Sequence, residues 1–528
     1  MSSRAEPLNC YLPARTVTPM DDQNLARQAE LSLQRHGDYD TLFFEGRWHS
    51  SGQLADRAAR FATGLAALGL KPGDRLLVLM ANCPEVQVTY TGTWRAGAVV
   101  TPLIFLVSED ELRSALTDSG ATGVVTTAEF LPKVLAATSG APDVKFVVCV
   151  AAPPDAPATV HDFETVSAAP PNQIVPRAGT DLAALLYTGG TTGRSKGVPL
   201  THENLNWCGR AVEESSSASG LDRHLIPLPL AHAYGLLVLC VGIHRERPGQ
   251  TILMRWFDPA GWLDLAVEHK VQASALVPSM LAMLLTQPLE DYDLSSLSVV
   301  ASGAAPLPDD VRTQFEKRVP SAMVYEGYGC TESATIISAN RLGERRVGSV
   351  GIPVPGCEVS IRDDSDQDVP AGTDGEICVR SPGVMSGYWH TPDSASTVLA
   401  GGWLHTGDIG HVDEDGYLYV VDRKKDLILR GGFNVFPRDI EDVLVSHPAV
   451  SQAGVVGKPD ARLGEEIVAF VSLYPGATVT PEELIEHGKL HLSRAKYPRE
   501  VRIVPDIPLT SVLKLDRKQL RQWLREES

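Results

Sequence analysis

Residues Tyr187 to Gly197 read YTGGTTGRSKG, with four glycines, three threonines and two cations in eleven positions. Glycine lets a backbone approach a ligand closely and adopt positive φ. Successive N–H groups in such turns form a concavity that binds anions. Hydroxyl donors and the charges of Arg194 and Lys196 add to it, so the local chemistry points to a polyphosphate. A P-loop needs lysine directly after its second glycine. Here Ser195 stands between Gly193 and Lys196, so that motif is excluded. A plain surface turn is the alternative reading of the stretch taken alone.

Four further stretches carry groups of the same character. YEGYGCTES (325–333) ends an apolar run with an aromatic, a threonine and a glutamate, and LHTGDIG (404–410) places an aspartate in a turn. DRKKD (422–426) interrupts the apolar pattern, and PLTSVLK (508–514) puts a lysine just ahead of a final helical stretch. With VRSPGVMSGYW (379–389) and GGFNVFPRDIE (431–441), these motifs resemble, in order and spacing, the acyl-adenylate-forming superfamily. Acyl-CoA synthetases, peptide-synthetase adenylation domains and beetle luciferases belong to it, and the resemblance spans nearly the whole chain. It implies an α/β fold: a large N-terminal domain of two mixed α/β sheets plus a β-barrel, and a small mobile C-terminal α+β domain. Residues 1–422 and 423–528 are the expected domains, with a hinge near 422–426.

The resemblance also implies roles, which the chemistry makes intelligible. When a carboxylate attacks the α-phosphate of ATP, two anions must meet, so neutralisation and positioning dominate. Thr188, Gly189, Gly190, Thr191, Thr192 and Lys196 are expected at the phosphates. Thr331 is expected at the α-phosphate, and Glu332 is a hard oxygen ligand suited to Mg²⁺. Asp408 has two acceptor oxygens for two ribose hydroxyls, with Arg423 as the second ribose contact. Tyr328 is expected on one face of adenine, with Gly303 and Ala304 of SGAAP on the other; a buried structural tyrosine is the competing view. Lys514 is the expected catalytic lysine, bridging carboxylate and α-phosphate, and Lys425 the hinge. Gly431 and Gly432 are expected to line a channel for coenzyme A. Two positions depart from the family pattern: Leu513 replaces the glycine before the lysine, and Ser195 replaces a proline. His232 is expected to border the acyl pocket or to be an ordinary core histidine. Ala233, Gly235, Ala304 and Gly327 leave the pocket roomy, suited to a fatty, alicyclic or aryl acid. HAYGLL (232–237) holds no aspartate for an α-amino group, which disfavours an amino acid.

The elements that must position these groups follow from periodicity. RLLVLM (75–80), VKFVVCV (144–150), LAALLYT (182–188), QTILM (250–254), ASALVP (273–278) and SVVASG (298–303) read as buried strands between amphipathic stretches such as 53–70. That alternation predicts layered α/β structure with largely parallel strands. From about residue 345 short strands and turns predict a β-rich region. After DRKKD the pattern predicts a helix in PRDIEDVLVSHP, strands at 467–473, and helices at 481–492 and 515–525.

Bulk numbers bound the rest. A chain of 528 residues exceeds one core. The formal net charge is −18, and the stretch from 423 carries 17 Lys and Arg against 15 Asp and Glu, net +2, which leaves −20 on the remainder. That balance argues against a nucleic-acid binder. No apolar run reaches the roughly 18 residues of a membrane span. The first residues lack a signal-peptide h-region, and the eight cysteines include no C-x-x-C pair. Reduced thiols, no zinc site and a cytoplasmic location are therefore expected. The expected activity is that of an ATP-dependent acyl-CoA synthetase, with carboxylic acid, ATP, Mg²⁺ and coenzyme A as partners and a homodimer left open. An acyl-AMP ligase that loads a carrier protein, a degenerate nucleotide-binding homologue and a luciferase-like oxygenase are the rivals.

Overall fold

The structure is a computed structural model and describes residues 22–188, 195–216, 220–391, 398–431, 433–460, 462–510 and 515–526. Two large sheets dominate it. The first has seven strands in the order Val160–Asp162, Phe146–Val150, Gly123–Thr127, Arg75–Leu79, Val99–Pro102, Leu182–Thr188 and Lys196–Thr201. All neighbours are parallel except the last pair. Both faces are covered, which is why RLLVL shows no polar alternation. Leu76 and Val78 enter the main core, while Leu77 and Leu79 enter a second core on the opposite face.

The second sheet has nine strands. Its centre runs Met323–Tyr328, Val299–Ser302, Ala273–Leu276, Arg223–Ile226, Gln250–Leu253 and Asp40–Phe44, all parallel. Short antiparallel strands flank it at both ends. The Ala233–His244 helix follows Arg223–Ile226 and packs near this sheet, capped at its start by His232. The predicted strands are all present; the pattern missed short ones such as Val99–Pro102, whose four residues are too few for a periodic signal.

The region expected as a β-barrel is an antiparallel sheet of four strands, Glu358–Arg362, Gly375–Arg380, Leu404–Val412 and Leu418–Arg423. Beyond it the chain turns at Lys424–Asp426 and enters a different, five-stranded sheet at Ile428–Arg430. The last sheet's central pair is a long hairpin, Val450–Asp460 with Gly464–Leu473. Only the second of these strands is visible as an apolar run. VSQAGVVGKPD dilutes the first with polar residues, glycines and a proline, and pairing with IVAFVSL supplies the burial. Among the described residues, no helix is long and apolar enough to cross a membrane. The seven described cysteines are unpaired, and five of them are buried.

Candidate active site

Asp408 and Arg423 face each other directly across the Leu404–Val412 and Leu418–Arg423 strands. The Arg423 Nε lies 3.2 Å from Asp408 Oδ1, and the Tyr328 hydroxyl donates to Asp408 Oδ2 at 2.6 Å. Tyr328 ends a strand of the nine-stranded sheet, so this contact ties two sheets together. The Asp408 side chain is 8% exposed. Burial works against the Arg423 charge, but the Asp408 and Asp426 carboxylates outweigh it and raise its pKa. Burial and the Asp408 charge push the Tyr328 phenol well above its usual value, so it stays a donor. Glu376 fixes the turn behind Asp408: its carboxylate accepts the Gly407 N–H at 3.1 Å and pairs with Lys424 at 3.2 Å.

Glu332 sits in a single 3₁₀ turn, Thr331–Ser333, just past Tyr328. Its carboxylate accepts a hydrogen bond from the Tyr388 hydroxyl at 2.9 Å. The Lys196 ammonium lies over the Tyr388 ring, 4.7 Å from its centroid. Lys196 is paired with Thr188 across the last two strands of the seven-stranded sheet. The two strands bearing the opening motif thus meet the Glu332 turn through one tyrosine. Trp389 holds the arrangement: its N–H donates to Gly197 O at 2.8 Å and its indole to Asp118 O at 3.1 Å. A Cβ on Gly197 would lie 2.9 Å from that of Trp389, so the close approach requires glycine. After the turn, Ala334 and Thr335 adopt φ of 52° and 91°. Left-handed conformations are costly for residues with a Cβ and persist where surrounding structure enforces them. The turn is held by Ala334 N donating to Thr331 O at 3.1 Å and Thr335 N to Cys330 O at 2.9 Å, and Gly329 leaves room for Thr335 O, which a Cβ there would meet at 1.8 Å.

A cavity of about 670 Å³ opens beside these groups. Gly303, Ala304, Gly327, Tyr328 and Thr331 line one end, next to His232 and Ala233. From there it runs between the nine-stranded sheet and the Ala233–His244 helix, past Ala301, Ala275, Leu237 and Val241. His232 answers to both expectations, lining the cavity while its Nδ1 accepts the Tyr234 N–H at 3.3 Å as a helix cap. Gly235 is elsewhere: it is buried against Leu230 and Pro229 O, and a Cβ would lie 2.4 Å from each, so its smallness serves helix docking.

Lys425 lies in the exposed turn between the four- and five-stranded sheets. Although the side chain reaches solvent, the protein around its ammonium and then the Arg423 charge lower its pKa. Its neighbours are anchored on opposite sides. Lys424 pairs with Asp364 and Glu376, and Asp426 with Arg521 at 2.8 Å. Gly431 has φ of 59° and donates to Leu463 O at 2.7 Å, beside exposed Leu429 and Phe433. Gly189, Gly190, Thr191, Thr192, Gly432, Leu513 and Lys514 lie outside the described residues. The backbone nearest Lys514 is drawn together by a Leu509–Leu515 bridge and a bond from Asp516 N to Pro508 O at 2.8 Å.

Sequence reasoning did not single out Tyr388, Trp389, Glu376 or Asp118. Tyr388 and Trp389 lie inside VRSPGVMSGYW, and an aromatic pair closing a glycine turn is the signal that could have found them. Asp118 and Glu376 act through contacts far away in sequence and carried no local mark.

Known proteins resemble this chain along nearly its whole length. The family model described as AMP-binding enzyme matches residues 27–389, and the AMP-binding enzyme C-terminal domain matches 439–514. A long-chain-fatty-acid–CoA ligase of Bacillus subtilis is 32% identical over 97% of this chain and 96% of its own. A feruloyl-CoA synthase of an Amycolatopsis species is 35% identical, covering 89% and 93%. The solved structure of an anthranilate CoA ligase in complex with anthranoyl-AMP superimposes with a TM-score of 0.88, 25% identity, and coverage of 96% and 98%.

Proposed function

Because this chain belongs to the AMP-binding enzyme family, we propose that it is an AMP-forming acyl-CoA ligase. It activates a carboxylic acid with ATP, releases pyrophosphate and passes the acyl group to the thiol of coenzyme A. The observation that carries this reading is the junction at Tyr328. One strand end bears the tyrosine that holds Asp408, and the same end opens into the apolar cavity. A nucleoside and an acyl chain therefore meet at one point.

In this reading Asp408 and Arg423 receive the ribose, and Gly303, Ala304 and Tyr328 border the adenine. Thr188, Gly189, Gly190, Thr191, Thr192 and Lys196 hold the departing phosphates, and Thr331 donates to the α-phosphate. Glu332 fits Mg²⁺: it is a carboxylate whose one hydrogen bond is from Tyr388, and among the described residues no cluster of three or more metal-ligating side chains surrounds it. Mg²⁺ is commonly held that way, by one or two carboxylates together with substrate phosphates. When bound, the ion neutralises phosphate charge. His232, Ala233 and Gly327 border the acyl group. Lys514 offsets charge between carboxylate and α-phosphate. Residues 1–422 and 423–528 act as body and lid, with Lys425 as hinge and Gly431 and Gly432 along the coenzyme A channel.

The test is pyrophosphate release over fatty, benzoic, cinnamic and cyclic acids, with and without coenzyme A, followed by mass spectrometry. Acyl-CoA is the expected product with the best acid. Acyl-AMP that accumulates beside free coenzyme A and passes only to a carrier protein would overturn the acceptor assignment.

A further inference from the structure

We propose that the end of the cavity remote from the nucleotide binds a second anionic group on the substrate, and that Arg245 recognises it. The preferred acids are then α,ω-dicarboxylic acids of about ten carbons. The inference rests on reading this cavity as the acyl pocket.

The path is defined by one sheet face and one helix. Val299, Ala301 and Gly303 alternate along their strand and all line the cavity, as do Ala273 and Ala275 on the next. These side chains are small and apolar, so they leave room for an apolar chain along the sheet face. Val299 is level with Ala273 and His224 across the sheet, at the opposite end from Gly303. Four strand residues separate the ends, about 13 Å. Opposite runs the Ala233–His244 helix, with Tyr234, Leu237, Val238, Val241 and Gly242 facing the cavity. From Ala233 to Arg245 it rises about 18 Å. The Arg245 guanidinium meets the ring of His224, which is level with Val299, so the sheet span of about 13 Å sets the length; an extended chain advances about 1.25 Å per carbon, and roughly ten carbons cover it.

The far end is charged, unlike the path to it. Three arginines line the cavity, and two have carboxylate partners: Arg95 with Glu30 at 3.5 Å and Arg247 with Asp222 at 2.9 Å. Among the described residues, no carboxylate lies within 4 Å of the Arg245 guanidinium. Its neighbour is the His224 ring, whose Nε2 meets both Arg245 Nη2 and, at 3.0 Å, Leu221 O. Burial, then the Arg245 charge, lowers the His224 pKa to about 4, so the ring is neutral at pH 7. A neutral Nε2 either donates to Leu221 O or accepts from Arg245, not both. Burial also lowers the Arg245 pKa against the pull of Glu213, Tyr39 and Asp222. The cation is short of compensation where it stands. A carboxylate arriving along the apolar groove supplies it in a geometry that guanidinium favours. The guanidinium is also seated. Its Nη1 lies 1.4 Å from where a Cβ on Gly249 would be, so glycine makes the room it occupies.

The test uses the full-length protein with decanoic and decanedioic acids, by calorimetric binding and by pyrophosphate release with Mg-ATP and coenzyme A. The expected result is a preference for decanedioate on the order of ten- to a hundredfold, collapsing in Arg245→Ala and partly kept in Arg245→Lys. Gly249→Ala should erode it too, by displacing the guanidinium while leaving the arginine in place; it carries the same comparison where Arg245→Ala fails to fold. Equal or tighter binding of decanoate by the wild type overturns the inference, as does a preference that none of the three variants changes. Arg245-dependent binding of decanedioate without pyrophosphate release from any acid upholds this inference and overturns the proposed reaction. Release with monocarboxylic acids alone does the reverse.

Discussion

Asp408 and Glu332 stand on either side of the strand end at Tyr328 and are held in opposite ways. Both Asp408 oxygens are engaged, one by a phenol and one by a guanidinium, and the side chain is nearly buried. Glu332 accepts one hydrogen bond, from Tyr388, and its second oxygen has no protein partner among the described residues. A carboxylate fixed at both oxygens can recognise a hydroxyl pair with little reorganisation, since its geometry exists before the ligand arrives. A carboxylate with an open oxygen can take up a cation that comes and goes with its substrate. In the proposed reading, the difference separates a recognition group from a charge-managing group, on a chain whose net charge of −18 opposes an anionic nucleotide.

The largest expected effect comes from removing the cation that the proposal places between the attacking carboxylate and the α-phosphate. Lys514→Ala should lower acyl-AMP formation from ATP by on the order of 10²–10³-fold. It should still convert supplied acyl-AMP and coenzyme A to acyl-CoA. Lys425→Pro, which fixes φ near −65° and removes an N–H, should adenylate normally and stall before thioester formation. Each variant is assayed in both half-reactions. Equal losses in both steps for both variants would show one rigid site in place of a lid that turns on the Lys424–Asp426 segment. That segment suits a hinge physically, since Lys424 is tied to Glu376 and Asp426 to Arg521, on opposite sides of an exposed lysine.

How far the sequence foretold this depends on the range of the interaction involved. The central strands were legible because burial on both faces removes polar residues from a local window, as in RLLVL and LAALLYT. Asp408 and Glu332 were legible through the motifs around them. The Val450–Asp460 strand was not, because its burial comes from its hairpin partner. Nor was the bond from Tyr328 to Asp408, which joins residues 80 apart. The tyrosine expected against adenine also anchors the Asp408 carboxylate, a second task that no local pattern shows. Gly235 fails for a related reason: smallness marks a close approach, but the sequence does not say whether to a ligand or to the protein's own backbone.

Neutralising the two carboxylates in turn should sharpen the contrast between them. Asp408→Asn keeps the shape and the acceptor but removes the charge that Arg423 pairs with. The KM for ATP should rise on the order of ten- to a hundredfold, with the Mg²⁺ requirement unchanged. Glu332→Gln should raise the Mg²⁺ needed for half-maximal rate by a similar factor and leave nucleotide affinity at saturating metal nearly intact. Activity measured over a grid of ATP and Mg²⁺ concentrations separates the two. A full rate for Glu332→Gln at low Mg²⁺ would remove that residue from the metal site.

The smallest expected effects are the most discriminating, because they change only what holds each carboxylate. Tyr328→Phe and Tyr388→Phe each delete one phenolic oxygen, and a hydrogen bond to a carboxylate contributes about 1.5–3 kcal/mol at most. Tyr328 is itself only partly buried, but its loss leaves a nearly buried Asp408 oxygen without a donor, so the cost should approach the upper part of that range. Thermal stability and ATP affinity should fall together. Glu332 and Tyr388 are only partly buried, so water can replace the lost phenol there. Tyr388→Phe should keep its melting temperature within a few degrees and lose activity only about fivefold, mostly as a raised Mg²⁺ requirement. The ring under Lys196 survives that change, so the cation–π contact remains and the loss reports the hydroxyl alone. If instead both variants lose stability equally and neither shifts the Mg²⁺ dependence, the two carboxylates are held alike, and the division between a recognition end and a charge-managing end fails.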